Sequence, residues 1–265
     1  LEGFFLGRVR IVDLSVPIES VPSEFFPPEV IHRDHKEGAK LMSSVFGCKE
    51  EDLPDGLGWA DDTINKLSTH HGTHLDAPWH YAPTSEGKPA KTIDEIPLEW
   101  CYGDGVILDM RHKPQGSGIT VEDLKEALEK INYKIKPGDI VMIMTGADKL
   151  WGKQEYLNAG CGMTREATLW LIEQGVRVVG IDAWGWDRPF WAIKADYEKT
   201  GDPSIIWEAH YVGREKTYLH IEKLANLDYL YDTLKKPYGF KVACFPVKVK
   251  GGSAGWCRAV AIIEE

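Results

Sequence analysis

Residues 105–146 read GVILDMRHKPQGSGITVEDLKEALEKINYKIKPGDIVMIMTG, and their pattern sets the fold class. GVILDM (105–110) is a short apolar run bounded by turn residues, the mark of a buried strand. TVEDLKEALEKI (120–131) has helical spacing instead. Thr120 can cap it, Glu122 and Asp123 suit the positive end of a helix, and Val121, Leu124, Leu128 and Ile131 form one stripe. After the turn KPGD, DIVMIMTG (139–146) is a second buried strand. The unit then repeats. TREATLWLIEQG (164–175) runs from a Thr cap to Gly175 and feeds VRVVGIDAW (176–184), a strand whose far end carries Asp182 and Trp184.

Outward from this block the pattern changes. VRIVDLSVPI (9–18) is β-branched and alternating, an early strand ended by Pro17. Residues 20–62 look irregular and suggest a long active-site loop with a helical piece around 37–46. YLHIEKL (218–224), FKVACFPVKVKGG (240–252) and GWCRAVAIIEE (255–265) are strand-like, the last two joined by a GGSAG hairpin. Strand–helix–strand units followed by hairpins predict an α/β fold, a mixed β-sheet with packed helices. With no repeat, low-complexity tract or flexible linker, residues 1–265 are expected to form a single domain.

Hydrophobic residues make up 43% of the 265 and charged residues 27%, an ordinary balance for a globular protein. The net charge of −10 argues against a nucleic-acid partner, which calls for a basic footprint. No apolar run approaches the ~20 residues of a membrane helix. The opening LEGFFLGRVRIVDLS has neither the charged start nor the apolar stretch of a signal peptide. Five scattered cysteines (48, 101, 161, 244, 257) form no C-x-x-C pair, which favours reduced thiols and a cytoplasmic setting.

The chemistry concentrates in THHGTHLDAPWHY (69–81), where four of the nine histidines fall beside one aspartate. In extended chain, residues two apart face the same way. His70, His74, Asp76 and His80 are even-numbered and would point together, with His71 turned away. Three imidazoles and a carboxylate on one side suit Zn²⁺ or Mn²⁺. The interleaved Gly72, Leu75, Ala77, Pro78 and Trp79 are small or apolar, unlike a solvated histidine loop. Further ligands must come from elsewhere: Asp182 and Asp187 in GIDAWGWD, or His210, His220 and Glu222 in EAHYVGREKTYLHIEKL, between whose histidines composition does not choose.

The run H-x-G-T-H-x-D-A-P-x-H, His70 through His80, resembles the signature of the metal-dependent cyclase family, which includes bacterial kynurenine formamidase. Asp13-Leu14-Ser15 and the spacing of His210, Glu222, Asn226 and Leu227 agree, so the resemblance covers about residues 9–227. TIDEIPLEWC (92–101) is similar to the isatin hydrolase and trans-dienelactone hydrolase branch. The resemblance implies a swivelling β/β/α fold and a homodimer or homotetramer. It implies that His70, His74 and Asp76 bind metal, that His210 and Glu222 complete a site able to hold one or two ions, and that His80 is the acid/base.

The implied activity is metal-dependent hydrolysis of a cyclic amide or lactone, by metal-hydroxide attack on a carbonyl. N-formylkynurenine hydrolysis is the alternative. Ala183-Trp184-Gly185-Trp186-Asp187 stands where formamidase-like members tend to carry serines, which favours the cyclic substrate. Trp79, Trp184, Trp186, Trp59, Tyr81 and Phe190 are candidate walls for a planar, aromatic small molecule. Two remoter readings use the same residues: a non-haem iron oxygenase built on His74, Asp76 and His210, and a closed structural metal site.

Overall fold

The computed structural model describes residues 9–264, so the reading of the opening LEGFFLGR lies outside the described residues. The strands that matter are β1 (Val9–Asp13), β2 (Glu29–Arg33), β3 (Asp61–Asn65), β4 (His74–Asp76), β5 (Tyr102–Asp109), β6 (Ile140–Met144), β7 (Val178–Ile181), β8 (Leu219–Glu222), β9 (Tyr238–Ala243), β10 (Ala254–Trp256) and β11 (Val260–Glu264). The helices are α1 (His35–Phe46), α2 (Pro78–Tyr81), α3 (Val121–Lys130), α4 (Arg165–Glu173) and α5 (Phe190–Thr200).

Nine strands form one mixed sheet in the order β1-β11-β9-β5-β6-β7-β8-β4-β10. The central four, β5 to β8, run parallel. That follows from the alternating pattern: β5–α3–β6 and β6–α4–β7 are crossover units, which need a helix to bring the chain back. Thr120 and Thr164 cap α3 and α4 as the sequence implies. The flanking strands pair antiparallel.

Every residue of β6 is buried, and its side chains divide by parity. Val141 and Ile143 join Leu124, Leu128, Leu171 and Ile172 in a core beneath α3 and α4. Ile140, Met142 and Met144 face a second core with Leu14, Leu75, Ile221, Phe240 and Val242. The sheet curls around that second core. Beyond β1 the chain reaches the end of β8, where Ala225 N donates to Leu14 O at 2.9 Å and Ser15 bridges Leu224. A mixed sheet with packed helices is therefore what the chain forms.

Two local expectations are corrected. The GGSAG segment does not close a hairpin between the last strands. β10 instead pairs with β4, while β11 crosses to lie between β1 and β9. β4 would otherwise expose a polar backbone edge beside the second core, and β10 satisfies it. Residues 20–62 are also more regular than they look. β2 and β3 pair antiparallel, and between them α1 starts at a capping box of Asp34 and Glu37 and ends at Gly47 with φ 66°.

Asp182 is a structural anchor in this arrangement. Its carboxylate accepts from Thr145 N at 2.8 Å, Thr145 Oγ1 at 2.6 Å and Gly146 N at 2.8 Å, joining the ends of β6 and β7. Asp182→Ala strands those buried donors and should cost about 3 kcal/mol. Thermal unfolding should register it as a Tm roughly 5–10 °C lower.

Candidate metal centre

The site is built on the pairing of β4 with β8. The antiparallel register sets Asp76 opposite His220 and His74 opposite Glu222, so four polar side chains share one face. Leu75 and Ile221, on the other face, enter the second core. His70 arrives from the turn before β4, which doubles back at Gly72, φ 60°. His210 sits in a short 3₁₀ turn, His210–Arg214.

His80 reaches the cluster by a different route from the one its spacing suggests. Pro78 opens the one-turn helix α2, where a missing N–H costs nothing, so the extended run stops at Asp76. His80 is an i+4 neighbour of Asp76, with Nε2 3.5 Å from Oδ2. Asp76 Oδ1 lies 2.9 Å from His70 Nδ1 and 3.2 Å from His74 Nε2. Glu222 Oε2 is 3.5 Å from His74 Nε2, and its Oε1 is 3.6 Å from His210 Nε2. All six residues expected in the site therefore converge. His71 points away and is buried, as its parity implies.

The hydrogen-bond network assigns the tautomers. His74 Nδ1 donates to Gly72 O at 2.8 Å, since a carbonyl only accepts, which leaves a bare lone pair on Nε2. His210 Nδ1 donates to Asp187, which also receives Ala209 N at 2.9 Å and His210 N at 3.0 Å. Asp187 is thus an orienting carboxylate beside the centre, and His210 Nε2 also turns a lone pair inward. Lone pairs of His74 and His210 facing buried carboxylate oxygens call for a cation. His74 Nε2 and Asp76 Oδ1 are fully buried with no hydrogen-bond partner among the described residues. Donor atoms sharing one ion at ~2.1 Å stand roughly 3.0–3.4 Å apart, close to the separations around Asp76 Oδ1. The residues fit a divalent metal.

The charges are strongly coupled. Burial and the Asp76 carboxylate would raise Glu222, but the His220 and His74 imidazoles bring it down to about 2. Burial would likewise raise Asp76, and His80, His70, His74 and His220 hold it well below the usual carboxylate range. His80 is pushed down to about 4, by burial first and by the neighbouring His70 and His210 against the pull of Asp76. At neutral pH its ring therefore has a lone pair with which to take a proton.

A pocket opens over the cluster, with His80, His210 and Glu222 in its lining beside Trp184, Phe190 and Trp207. Trp184 and Phe190 stand edge to face at 5.1 Å, and Phe25 joins them at 5.1 Å and 6.2 Å. The other aromatic candidates sit elsewhere. Trp186 is fully buried, its indole N–H donating to Thr168, because its backbone N–H is tied to Glu222 and its ring fills the core under α4. Tyr81 is buried and stacks on Tyr218 at 5.0 Å. Trp79 is on the exposed side of α2, and Trp59 packs against Phe46 on the α1 excursion.

Sequence reasoning missed four contributors. Trp207 stacks on His210 at 4.2 Å and meets His80 edge-on at 5.2 Å. Ser253 Oγ contacts His70 Nε2 at 2.9 Å. Lys223, buried beneath the motif, pairs with both oxygens of Glu24 at 2.8 Å and donates to His70 O at 2.7 Å. Glu24 also accepts from Gly72 N at 2.9 Å, so this pair pins the turn that carries His70. The available signal was a lysine directly after the strand that carries the candidate ligand Glu222 and a lone Glu in the SEFF run.

This geometry agrees with the comparisons. A profile of the putative cyclase family matches residues 12–188, more than half of the chain, and the chain belongs to that family. Cyclase-like protein 1 from Arabidopsis thaliana is 27% identical over 175 residues, 58% of this chain but only 66% of that protein. An isatin hydrolase from Roseibium aggregatum is 25% identical over 208 residues, 75% of this chain and 73% of its own. The solved structure of isatin hydrolase A from Labrenzia aggregata, bound to benzyl benzoate, superposes with a TM-score of 0.71 at 27% identity. That superposition covers 97% of this chain and 94% of the other.

Lys223→Met leaves Glu24 as an uncompensated buried charge and should destabilise the fold by roughly 3–5 kcal/mol. The double variant Glu24→Leu/Lys223→Met should recover much of that loss. Denaturant unfolding of the three proteins measures it, and equal losses in the single and double variants would refute the account.

Proposed function

We propose that this protein is a metal-dependent hydrolase that opens a cyclic amide or lactone, isatin-like or dienelactone-like. One observation carries the reading: the bare Nε2 atoms of His74 and His210 face buried carboxylates at the floor of an aromatic pocket. His70, His74 and Asp76 would hold the cation, with His210 and Glu222 beside them. A bound Mn²⁺ or Zn²⁺ supplies Lewis-acid polarisation of a carbonyl and lowers the pKa of a water towards neutrality.

The chain's own groups do the rest. His80, neutral and largely buried at the pocket floor, takes the proton of the attacking water through Nε2. It then delivers that proton to the leaving nitrogen or oxygen as the ring opens to a carboxylate. Trp184 and Phe190, packed edge to face, offer one aromatic wall to a flat substrate, and Trp207 packs on the His80 and His210 rings.

An oxygenase reading built on His74, Asp76 and His210 leaves His70 and His80 without work, and a closed structural site would not need a pocket above it. We also place the protein in a reducing, cytoplasmic setting, on the strength of its five free cysteines, and expect a homodimer or homotetramer. Exposed Leu41, Val45 and Phe46 on α1 support self-association. No helix among the described residues is long and apolar enough to cross a membrane.

Proton release in a pH-stat tests the activity, with Mn²⁺- or Zn²⁺-loaded protein against isatin, a dienelactone, N-formylkynurenine and simple lactones. Release with a cyclic substrate that stops on chelation is expected. Release with the formamide alone would move the assignment to formamidase chemistry. His80→Ala should retain its metal and lose turnover by about 10²–10⁴-fold. Parallel loss of metal would instead make His80 a ligand.

A further inference from the structure

We propose that the substrate of this centre carries an apolar arm, an alkyl or aryl substituent on its cyclic amide or lactone, which lies in a groove between α5 and the turn that follows it. The inference rests on the hydrolase reading given above and narrows it. Phe190, Ile193, Lys194, Tyr197, Ile206 and Trp207 line the groove. Phe190, Ile193, Lys194 and Tyr197 recur at helical spacing and so share one face of α5. Ile206 and Trp207 supply the rest of the lining, directly after the short 3₁₀ turn Pro203–Ile205.

Two of these side chains also line the pocket over the carboxylate–imidazole cluster. Phe190 and Trp207 belong to both cavities, so the groove adjoins the place where the ring would open. Trp207 stacks one face on His210 at 4.2 Å, with planes at 7°, and meets His80 edge-on at 5.2 Å. An indole has two faces, and the one turned from His210 is left for the groove. Trp207 also takes φ 57°, a conformation that a bulky residue keeps only where its surroundings enforce it. Those surroundings are tied down: Asp202 accepts from Ser204 N at 2.9 Å, and Tyr211 N donates to Trp207 O at 3.0 Å. The groove is therefore built before a ligand arrives.

The chemistry of the lining selects the occupant. Phe190, Tyr197 and Ile206 are 46%, 41% and 41% exposed, apolar surface that a covering group would remove from water. The one charged side chain, Lys194, stands exposed at 3.8 Å from an equally exposed Glu198. Six residues are far fewer than the roughly 20–30 a side that hold a stable dimer, so the groove suits a small apolar group better than a second copy of the chain. Tyr197 lies two turns along α5 from Phe190, about 10 Å away. A bare bicyclic ring seated over the cluster would not span that length. A ring with an arm would occupy both cavities.

The test is a binding series. Isothermal titration calorimetry measures the Kd of the metal-depleted full chain for isatin and for isatins carrying methyl to hexyl chains at ring position 5, 6 or 7. Without metal the readout is affinity rather than turnover. At one position at least, Kd should tighten about twofold per added methylene, as half-burial of each would give. The double variant Tyr197→Ser/Ile206→Ser should flatten that trend. A Kd independent of chain length at every position, an equal trend in the variant, or no binding at all would overturn the proposal. Sedimentation that shows the variant falling to monomers from a larger wild-type assembly would also overturn it, since a second copy would then cover the groove. If the trend holds but the Mn²⁺-loaded protein hydrolyses none of the series, the hydrolase reading fails and the arm site stands. If the double variant does not fold, Ile206→Ser alone and the wild-type series decide.

Discussion

Asp76 and Glu222 are brought to one side of the β4–β8 pair, both buried and both ionised, and this is the constraint that the rest of the site answers. Two like charges removed from water repel strongly in a low-dielectric interior and require positive charge or donated hydrogen bonds around them. Five imidazoles gather around them. His220 donates between the carboxylates, His70 and His74 approach Asp76 Oδ1, and His80 and His210 close the side towards the pocket. The lone pairs left over on the inward nitrogens are what a divalent cation would fill. Without the carboxylates the histidines would be only a polar patch.

Holding that arrangement takes elements from across the chain. β10 covers the open edge of β4, and the segment just before it brings Ser253 against His70. The Glu24–Lys223 pair ties the approach to α1 to the turn at Gly72, so the distant residues 20–26 help set where His70 stands. Asp187 fixes the His210 ring, and Asp182 fixes the strand ends beneath it. Glu24, Lys223, Asp182 and Asp187 are buried and hydrogen-bonded, which makes the surroundings of the site expensive to rearrange.

What was legible in the sequence was whatever is local. The α3 and α4 stripes, their Thr caps and the apolar runs of β5, β6 and β7 are each set by neighbours a few residues away, and they appear where the spacing puts them. The even spacing of His74 and Asp76 survives for the same reason, since both lie within one strand. His80 converges on Asp76 by helical rather than strand geometry, because Pro78 favours a helical turn over continued extension. Pairings between distant short segments left no local trace. β4 and β10 have three residues each and no hairpin joins them, so their register was invisible, as were Lys223 with Glu24 and Trp207 with His210.

The division between strands and loops also separates chemistry from selectivity. The groups that would hold a cation and move a proton stand on β4, β8 and the short turns adjoining them, where displacement is resisted by the sheet. The pocket walls come from connecting segments: Trp184 and Phe190 follow β7 and Trp207 precedes the His210 turn, while Phe25, from the segment before β2, packs against Trp184 and Phe190. Loops tolerate substitution and insertion far better than paired strands do. A lining carried on loops in this way can change shape while the carboxylate–imidazole cluster stays as it is. Phe25 packs on both Trp184 and Phe190, so the Glu24 anchor beside it links these walls to the placement of His70.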